Sequence, residues 1–332
     1  MRLGALGLPP YRLFSLEELE EATNNFQTST FMGESSHGQM YRGRLKDDSL
    51  VAIRCLKLKR RHSAQDFMQH IELISKLRHC HLVSVLGHCF EYYLDDSSVS
   101  RLFLVFEYVP NGTLRSNICE RLEAEKLTWT QRITAAIGIV KGIQFLHTSI
   151  VPGIFANDLK TTNVLLDQNL VAKISCYNLP VLTEVGAETS LNSPKDSRAS
   201  RRAKQGDKVD VYDFGVILLE VIVGRPITSQ TEVNTVKDLL QASMASEEAA
   251  RRSIVDRTVT QASSDESLKT VMEICIRCLS KEPAERPSIE DVLWNLQFAA
   301  QVQDAWRGDS QSSEGSPAFS PTQPSKLQLA IQ

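Results

Sequence analysis

The hydrophobic pattern of this chain changes period near residue 110. Before that point the apolar runs are short and strand-like. Val51-Ala52-Ile53 is one, and Leu102-Phe103-Leu104-Val105-Phe106 is a continuous run suited to a buried strand. Between them Phe67, Ile71, Ile74 and Leu77 recur at helical spacing. After Pro110 helical spacing dominates. Ile133, Ala136, Ile137, Val140 and Ile143 form one face after Trp129, and Leu268, Val271, Ile274, Cys275, Cys278 and Leu279 form another. The pattern predicts a small β-rich part followed by a larger helical part, joined near Glu107-Tyr108-Val109. Upstream, Ser15 and Glu18 fit a capping box opening a short helix.

Composition narrows the function classes. The 332 residues are 42% hydrophobic and 23% charged, enough apolar material for a substantial core in two units. A net charge of -3 argues against general nucleic-acid binding, which needs a strongly basic face. The 7 cysteines are odd in number and scattered, the usage of a reducing compartment. No apolar run reaches the ~18 residues of a membrane span, and the N-terminus is too short in apolar residues for a secretory signal. The expectation is a cytoplasmic chain, or the cytoplasmic part of something longer. Residues 1–12 read as loose, and the Ser/Pro/Gln-rich stretch from about Trp306 reads as a disordered tail.

Six landmarks follow in order. They are Gly33-Glu34-Ser35-Ser36-His37-Gly38; Val51-Ala52-Ile53-Arg54; Glu72; Asp158-Leu159-Lys160-Thr161-Thr162-Asn163; Asp210-Val211-Tyr212-Asp213-Phe214-Gly215; and Glu285-Arg286-Pro287. Together they resemble the protein kinase family, and within it the plant leucine-rich-repeat receptor-like kinases, in particular inactive members, over about residues 26–300. The resemblance implies an α+β bilobal fold: a β-rich N-lobe over 26–109, a helical C-lobe over 110–300, a juxtamembrane-like extension over 1–25 and a disordered tail over 301–332. It also implies a plasma-membrane parent, with this chain on the cytosolic face.

Phosphoryl transfer is mostly positioning and charge neutralisation, so each landmark has a physical task. By resemblance Gly33 and Gly38 belong to the phosphate loop, whose middle glycine is here Ser35, so a side chain crowds the phosphates. Arg54 stands where a lysine would hold phosphates and pair with Glu72. Arginine keeps the charge but not the geometry, and an Arg54–Glu72 pair is expected. The backbone of Glu107 and Val109 would hold adenine, with the bulky Phe106 just before them. Asp158 would accept the substrate proton, Lys160 would neutralise the phosphoryl group and Asn163 would hold one metal; Asp158 also reads as a plain turn residue. The His and Arg that normally precede this aspartate are Ala156 and Asn157, which removes the loop's support and its phosphate-docking arginine.

The decisive departure is Cys176, at the place of the metal-binding aspartate. Magnesium prefers oxygen, and a thiol is a poor ligand for it. Asp213-Phe214-Gly215 is a decoy that runs into an apolar helix, and Asp210 is read as holding the catalytic-loop backbone. No Ala-Pro-Glu follows Cys176. Instead the basic stretch from Lys195 to Lys208, containing Ser197 and Ser200, reads either as a solvated linker or as a regulated docking element. His79, Cys80, His81, His88 and Cys89 match no common zinc spacing, and Cys275/Cys278 read as core.

The leading expectation is a pseudokinase: a signalling module that binds protein partners, active receptor kinases among them, with weak ATP binding and little use for Mg²⁺. The alternative is a weakly active Ser/Thr kinase using Asp158, Lys160 and Asn163 with a single metal. A third reading is a fold that has lost its function.

Overall fold

A computed structural model of the chain describes residues 9–35, 38–58, 62–95, 97–151, 153–177, 205–245 and 247–313. The first part is a six-stranded sheet in the order β1-β5-β6-β4-β3-β2. The strands are β1 (Arg12–Leu13), β2 (Phe31–Ser35), β3 (Gly38–Arg44), β4 (Leu50–Lys57), β5 (Val85–Tyr92) and β6 (Val99–Glu107). β1 runs parallel to β5, and every other neighbouring pair is antiparallel.

β4 and β6 are the central strands, and their apolar runs are continuous because both faces are covered. Ala52, Leu56, Leu102, Leu104 and Phe106 face helix α2 (Ala64–Lys76), whose Phe67, Ile71 and Ile74 are buried as the spacing predicts. Val51, Ile53, Cys55, Phe103 and Val105 face the other way, onto Phe14 and onto Leu19 of helix α1 (Leu16–Thr23).

That second face corrects the reading of the N-terminus. Residues 9–12, expected to be loose, join the expected short helix in a strap over 9–23 that completes the N-lobe. Leu19 is fully buried, and the Phe14 amide donates to the His88 carbonyl at 2.9 Å. Tyr11 Oη lies 2.8 Å from His88 Nδ1. The close approach requires Gly87, where a Cβ would lie 2.0 Å from the Arg12 carbonyl oxygen. The capping box forms by half. Ser15 Oγ accepts from the Glu18 amide at 3.1 Å, but the Glu18 carboxylate pairs with Arg12 at 2.6 Å.

The second part is helical. α3 (Trp129–Thr148) buries Ile133, Ala136, Val140 and Ile143 at its centre, and Thr128 with Gln131 caps its start. A two-stranded hairpin, β7 (Val164–Leu166) and β8 (Ala172–Ile174), lies beside it. α4 (Gly206–Val223), α5 (Gln230–Met244), and the short α6 (Glu248–Arg252) and α7 (Arg257–Thr260) follow. Then come α8 (Asp265–Cys278), with its apolar face buried, and α9 (Ile289–Ser313). α9 continues to Ser313, past residue 301, where the resemblance places the start of a disordered tail, and past Trp306, where composition does. It does so because Gln303 is buried, accepting from the Ser264 amide and donating to the Ala262 carbonyl, both at 2.9 Å.

The histidines near residue 80 have structural partners. His79 stacks on Phe145 with centroids 4.7 Å apart, and His81 Nδ1 lies 2.9 Å from the Ala172 carbonyl. Among the described residues no cluster of His, Cys, Asp or Glu is placed to hold a metal, and no helix is long and apolar enough to cross a membrane. The stretch 195–204, with Ser197 and Ser200, lies outside the described residues.

Candidate functional site

A cleft of about 410 Å³ opens between the lobes. Ala52, Arg54, Phe106 and Val109 line it from the sheet, and Asp158, Asn163 and Cys176 line it from below. Of the six landmarks, the strand ending at Arg54 and the Asp158–Asn163 loop line this cleft, and Glu107, Val109 and Cys176 join them; Gly33, Gly38, Glu72, Asp210 and Arg286 are not among its lining residues.

The glycine loop forms the tip of the β2–β3 hairpin, with Ser35 paired to Gly38. Gly33 has φ +145° and Gly38 has φ +100°, a region that L side chains avoid. At Gly38 a Cβ would also lie 2.3 Å from the Cys55 carbonyl oxygen. Hairpin packing alone thus requires glycine at residue 38.

Arg54 and Glu72 do not pair. The Glu72 carboxylate sits on the exposed face of α2 and binds Lys76 at 2.7 Å, because the buried face of that helix is taken by Phe67, Ile71 and Ile74. Arg54 is buried instead. Its guanidinium lies 5.2 Å from the Phe106 ring centroid, and Nε donates to the Met40 sulfur at 3.4 Å. It has no carboxylate partner among the described residues. Burial lowers its pKa, and the neighbouring Cys176 and Tyr177 oppose that shift only in part.

Glu107 is occupied by its own fold. Its carboxylate binds Lys173 Nζ at 3.0 and 3.1 Å and accepts from the Ser84 amide at 2.8 Å. Its backbone amide is engaged as well, donating to the Ser84 carbonyl at 3.0 Å. Nothing in the local sequence signals Lys173 as the partner.

The catalytic loop is built although its usual support is absent. Ala156 and Asp158 both take positive φ, +56° and +48°. Asp210 holds this strained turn by accepting from the backbone amides of Asn157 at 2.6 Å and Ala156 at 3.1 Å. Asn157 Nδ2 and His147 Nε2 reach the same carboxylate at 2.9 and 2.7 Å. The expectation for Asp210 is met, and the lost support is replaced by Asn157 and His147. His147 lies far away in sequence and carries no motif signal. The Asp158 carboxylate pairs with Lys160 at 2.8 Å, and Asn163 Nδ2 donates to the Asp158 carbonyl at 3.1 Å. One turn further, Thr161 donates to the buried Glu220, which also binds Arg115 at 2.9 Å.

The metal position fails a chemical test. Burial raises the Cys176 thiol pKa, and Arg54 offsets this only in part, so the group stays protonated. Asp158 is already paired with Lys160, and Asn163, whose Nδ2 donates to the Asp158 carbonyl, offers only a neutral amide oxygen. Among the described residues the other carboxylate lining the cleft, Glu107, is bound to Lys173. The donor set does not fit Mg²⁺. Tyr177 is locked behind it, donating to the Val83 carbonyl at 3.0 Å. Asp213-Phe214-Gly215 lies inside α4, away from any metal role, with Phe214 fully buried. Cys275 and Cys278 are buried, and their thiol pKa values are raised by that burial. Arg286 donates to the carbonyls of Ser280 and Lys208 at 3.0 and 2.8 Å and covers the Tyr212 ring.

The comparisons bear on the family and the fold. Residues 26–296 match the protein tyrosine and serine/threonine kinase family. The chain is 62% identical over 335 aligned residues to a probable inactive leucine-rich repeat receptor-like protein kinase of Arabidopsis thaliana, covering 99% of this chain and 42% of the relative. It is 46% identical to a probable LRR receptor-like serine/threonine-protein kinase of the same plant, covering 92% of this chain and 40% of that one. The chain thus spans about two fifths of the curated relatives it matches. Among solved structures, the pseudokinase domain of BIR2, an immune regulator of the RLK/Pelle family, superposes with a TM-score of 0.71 at 26% identity, covering 87% of this chain and 85% of that one. The chain belongs to the protein tyrosine and serine/threonine kinase family.

Proposed function

We propose that this domain is a pseudokinase that signals by binding protein partners and not by transferring phosphate. The observation that supports the reading is Cys176, a half-buried thiol beside Arg54, where catalysis needs a metal-bound carboxylate and where Arg54 has no carboxylate partner among the described residues. Losing one stabiliser of developing charge typically costs roughly 10²–10³ in rate. Here the metal ligand, the strand lysine and the middle glycine are all replaced.

The partner class is an active receptor kinase, and the site of action is the cytosolic face of the plasma membrane. The receptor-like names of the relatives support both parts of this reading. Any nucleotide binds weakly, through Arg54 and the backbone at Glu107–Val109, and without magnesium. A second reading, a weakly active Ser/Thr kinase, draws on the preserved Asp158–Lys160–Asn163 geometry.

The test is phosphate transfer from labelled ATP by the whole chain, in Mg²⁺ and in Mn²⁺. The expected signal equals that of Asp158→Asn. Autophosphorylation abolished by Asp158→Asn would replace this reading with the second one.

A further inference from the structure

One cation in the cleft between the lobes lacks a counter-charge. The charged side chains lining the cleft are Arg54, Glu107, Asp158 and Lys160. Asp158 pairs with Lys160 at 2.8 Å, and Glu107 pairs with Lys173 at 3.0 Å. Both pairs cancel. Arg54 remains, 9% exposed, with Nε spent on the Met40 sulfur and no oxygen acceptor on its guanidinium among the described residues. The described lining therefore holds a single positive charge in excess.

That balance sets the charge of a fitting ligand. A desolvated cation is compensated by one anion, and any further charge brought into the cleft is itself desolvated without a partner. A nucleoside triphosphate without metal carries several negative charges, and the donor set here does not hold Mg²⁺ to offset them. A phosphate monoester still carries about -1.5 to -2 near neutral pH. A carboxylate carries one charge, and it accepts two parallel N–H bonds from a guanidinium fork.

The rest of the lining selects the body of the ligand. Met40, Ala52 and Phe106 come from strands of the N-lobe sheet, and Leu165 comes from the β7–β8 hairpin of the other lobe. A flat ring system meets both apolar layers at once. The Phe106 ring, 5.2 Å from the Arg54 guanidinium, adds an aromatic contact close to the anion. The cleft volume of about 410 Å³ lies within the range of small-molecule sites.

We propose that the cleft takes a planar aromatic monocarboxylate, held without metal by the Arg54 guanidinium, with its ring between the sheet and the β7–β8 hairpin. The proposal rests on the pseudokinase reading, since a magnesium-loaded site would neutralise a nucleotide instead. A nucleotide is the competing ligand.

The test is calorimetry on the full chain in EDTA with three probes: β-naphthoate, its neutral isostere β-naphthamide, and ATP. β-Naphthoate is expected to bind about 10–100-fold more tightly than β-naphthamide, the worth of a charge-assisted hydrogen bond, and more tightly than ATP. Arg54→Met should remove the preference for the carboxylate and leave the naphthamide affinity nearly unchanged. Arg54→Lys should keep part of the preference. The thermal midpoint reports whether each variant is folded, and the comparison of probes on the unaltered chain depends on no variant. Equal affinities for naphthoate and naphthamide would overturn the proposal and leave the pseudokinase reading in place. So would a preference that survives Arg54→Met, tighter binding of ATP in EDTA, or no naphthoate binding. Tight ATP binding that requires Mg²⁺, in a parallel titration, would overturn both.

Discussion

The Arg54 guanidinium packs 5.2 Å from the Phe106 ring centroid at the base of the cleft, with no carboxylate beside it among the described residues. A desolvated cation over an aromatic ring gains about 2 kcal/mol, less than an unpaired buried charge costs. The arginine is therefore held at the expense of stability and is short of an anion. Arg54→Met is expected to raise the thermal midpoint by roughly 2–4 °C, the shift for about 1 kcal/mol in a domain of this size. The same change should weaken ATP binding about 10–100-fold, the worth of a charge-assisted hydrogen bond. Calorimetry in EDTA and in Mg²⁺ should return equal affinities for the unaltered chain. Tight binding that requires Mg²⁺ would contradict the metal-site geometry.

Asp213 makes a pH signature. Burial, with Asp210 and Asp158 nearby, raises its pKa from 3.8 to about 7, while the Leu159 amide it accepts from pulls the other way. The folded protein thus holds this proton more tightly than the unfolded chain does. The resulting stability is complete below about pH 4 and is lost as pH rises through about 7. Asp213→Asn keeps an acceptor for Leu159 and removes the charge. It should stabilise the domain by about 2–4 kcal/mol at pH 8 and hardly at all at pH 4. Denaturant titrations at the two pH values measure the difference, and equal gains at both would refute the assignment.

The N-terminal strap is expected to behave as part of the domain. Phe14→Ala removes a core ring that is 6% exposed and should cost about 3–5 kcal/mol. Gly87→Ala places a methyl group on the Arg12 carbonyl and should lift β1 away. Hydrogen exchange at the Phe14 amide, bonded to the His88 carbonyl, should then speed up while the amides of α2 stay protected. Equal protection before and after the change would mean that the strap contributes nothing to the sheet edge.

Much of this was readable in one dimension. The change of hydrophobic period near residue 110 predicts both lobes, because burial of a strand or a helix is repeated at every turn of its own periodicity. Cys176 is legible for a related reason: its spacing from Asp158 is fixed by the intervening hairpin β7–β8, and the chemistry of a thiol needs no coordinates. The role of Asp210 was also within reach, since it opens the helix that underlies the loop.

Pairings between distant side chains were not readable. Glu72 turns to Lys76 because its neighbours on α2 compete for the sheet, and Arg54 is left with Phe106 and Met40. Glu107 finds Lys173, and His147 finds Asp210, across gaps in sequence that carry no periodic signal. Phe14 and Leu19 join the core because Gly87 leaves room for the strap, a fact of packing between two segments. Local pattern dictates which face of each element is apolar. Which charge meets which is decided only when the elements pack, because that choice depends on desolvation and distance in three dimensions.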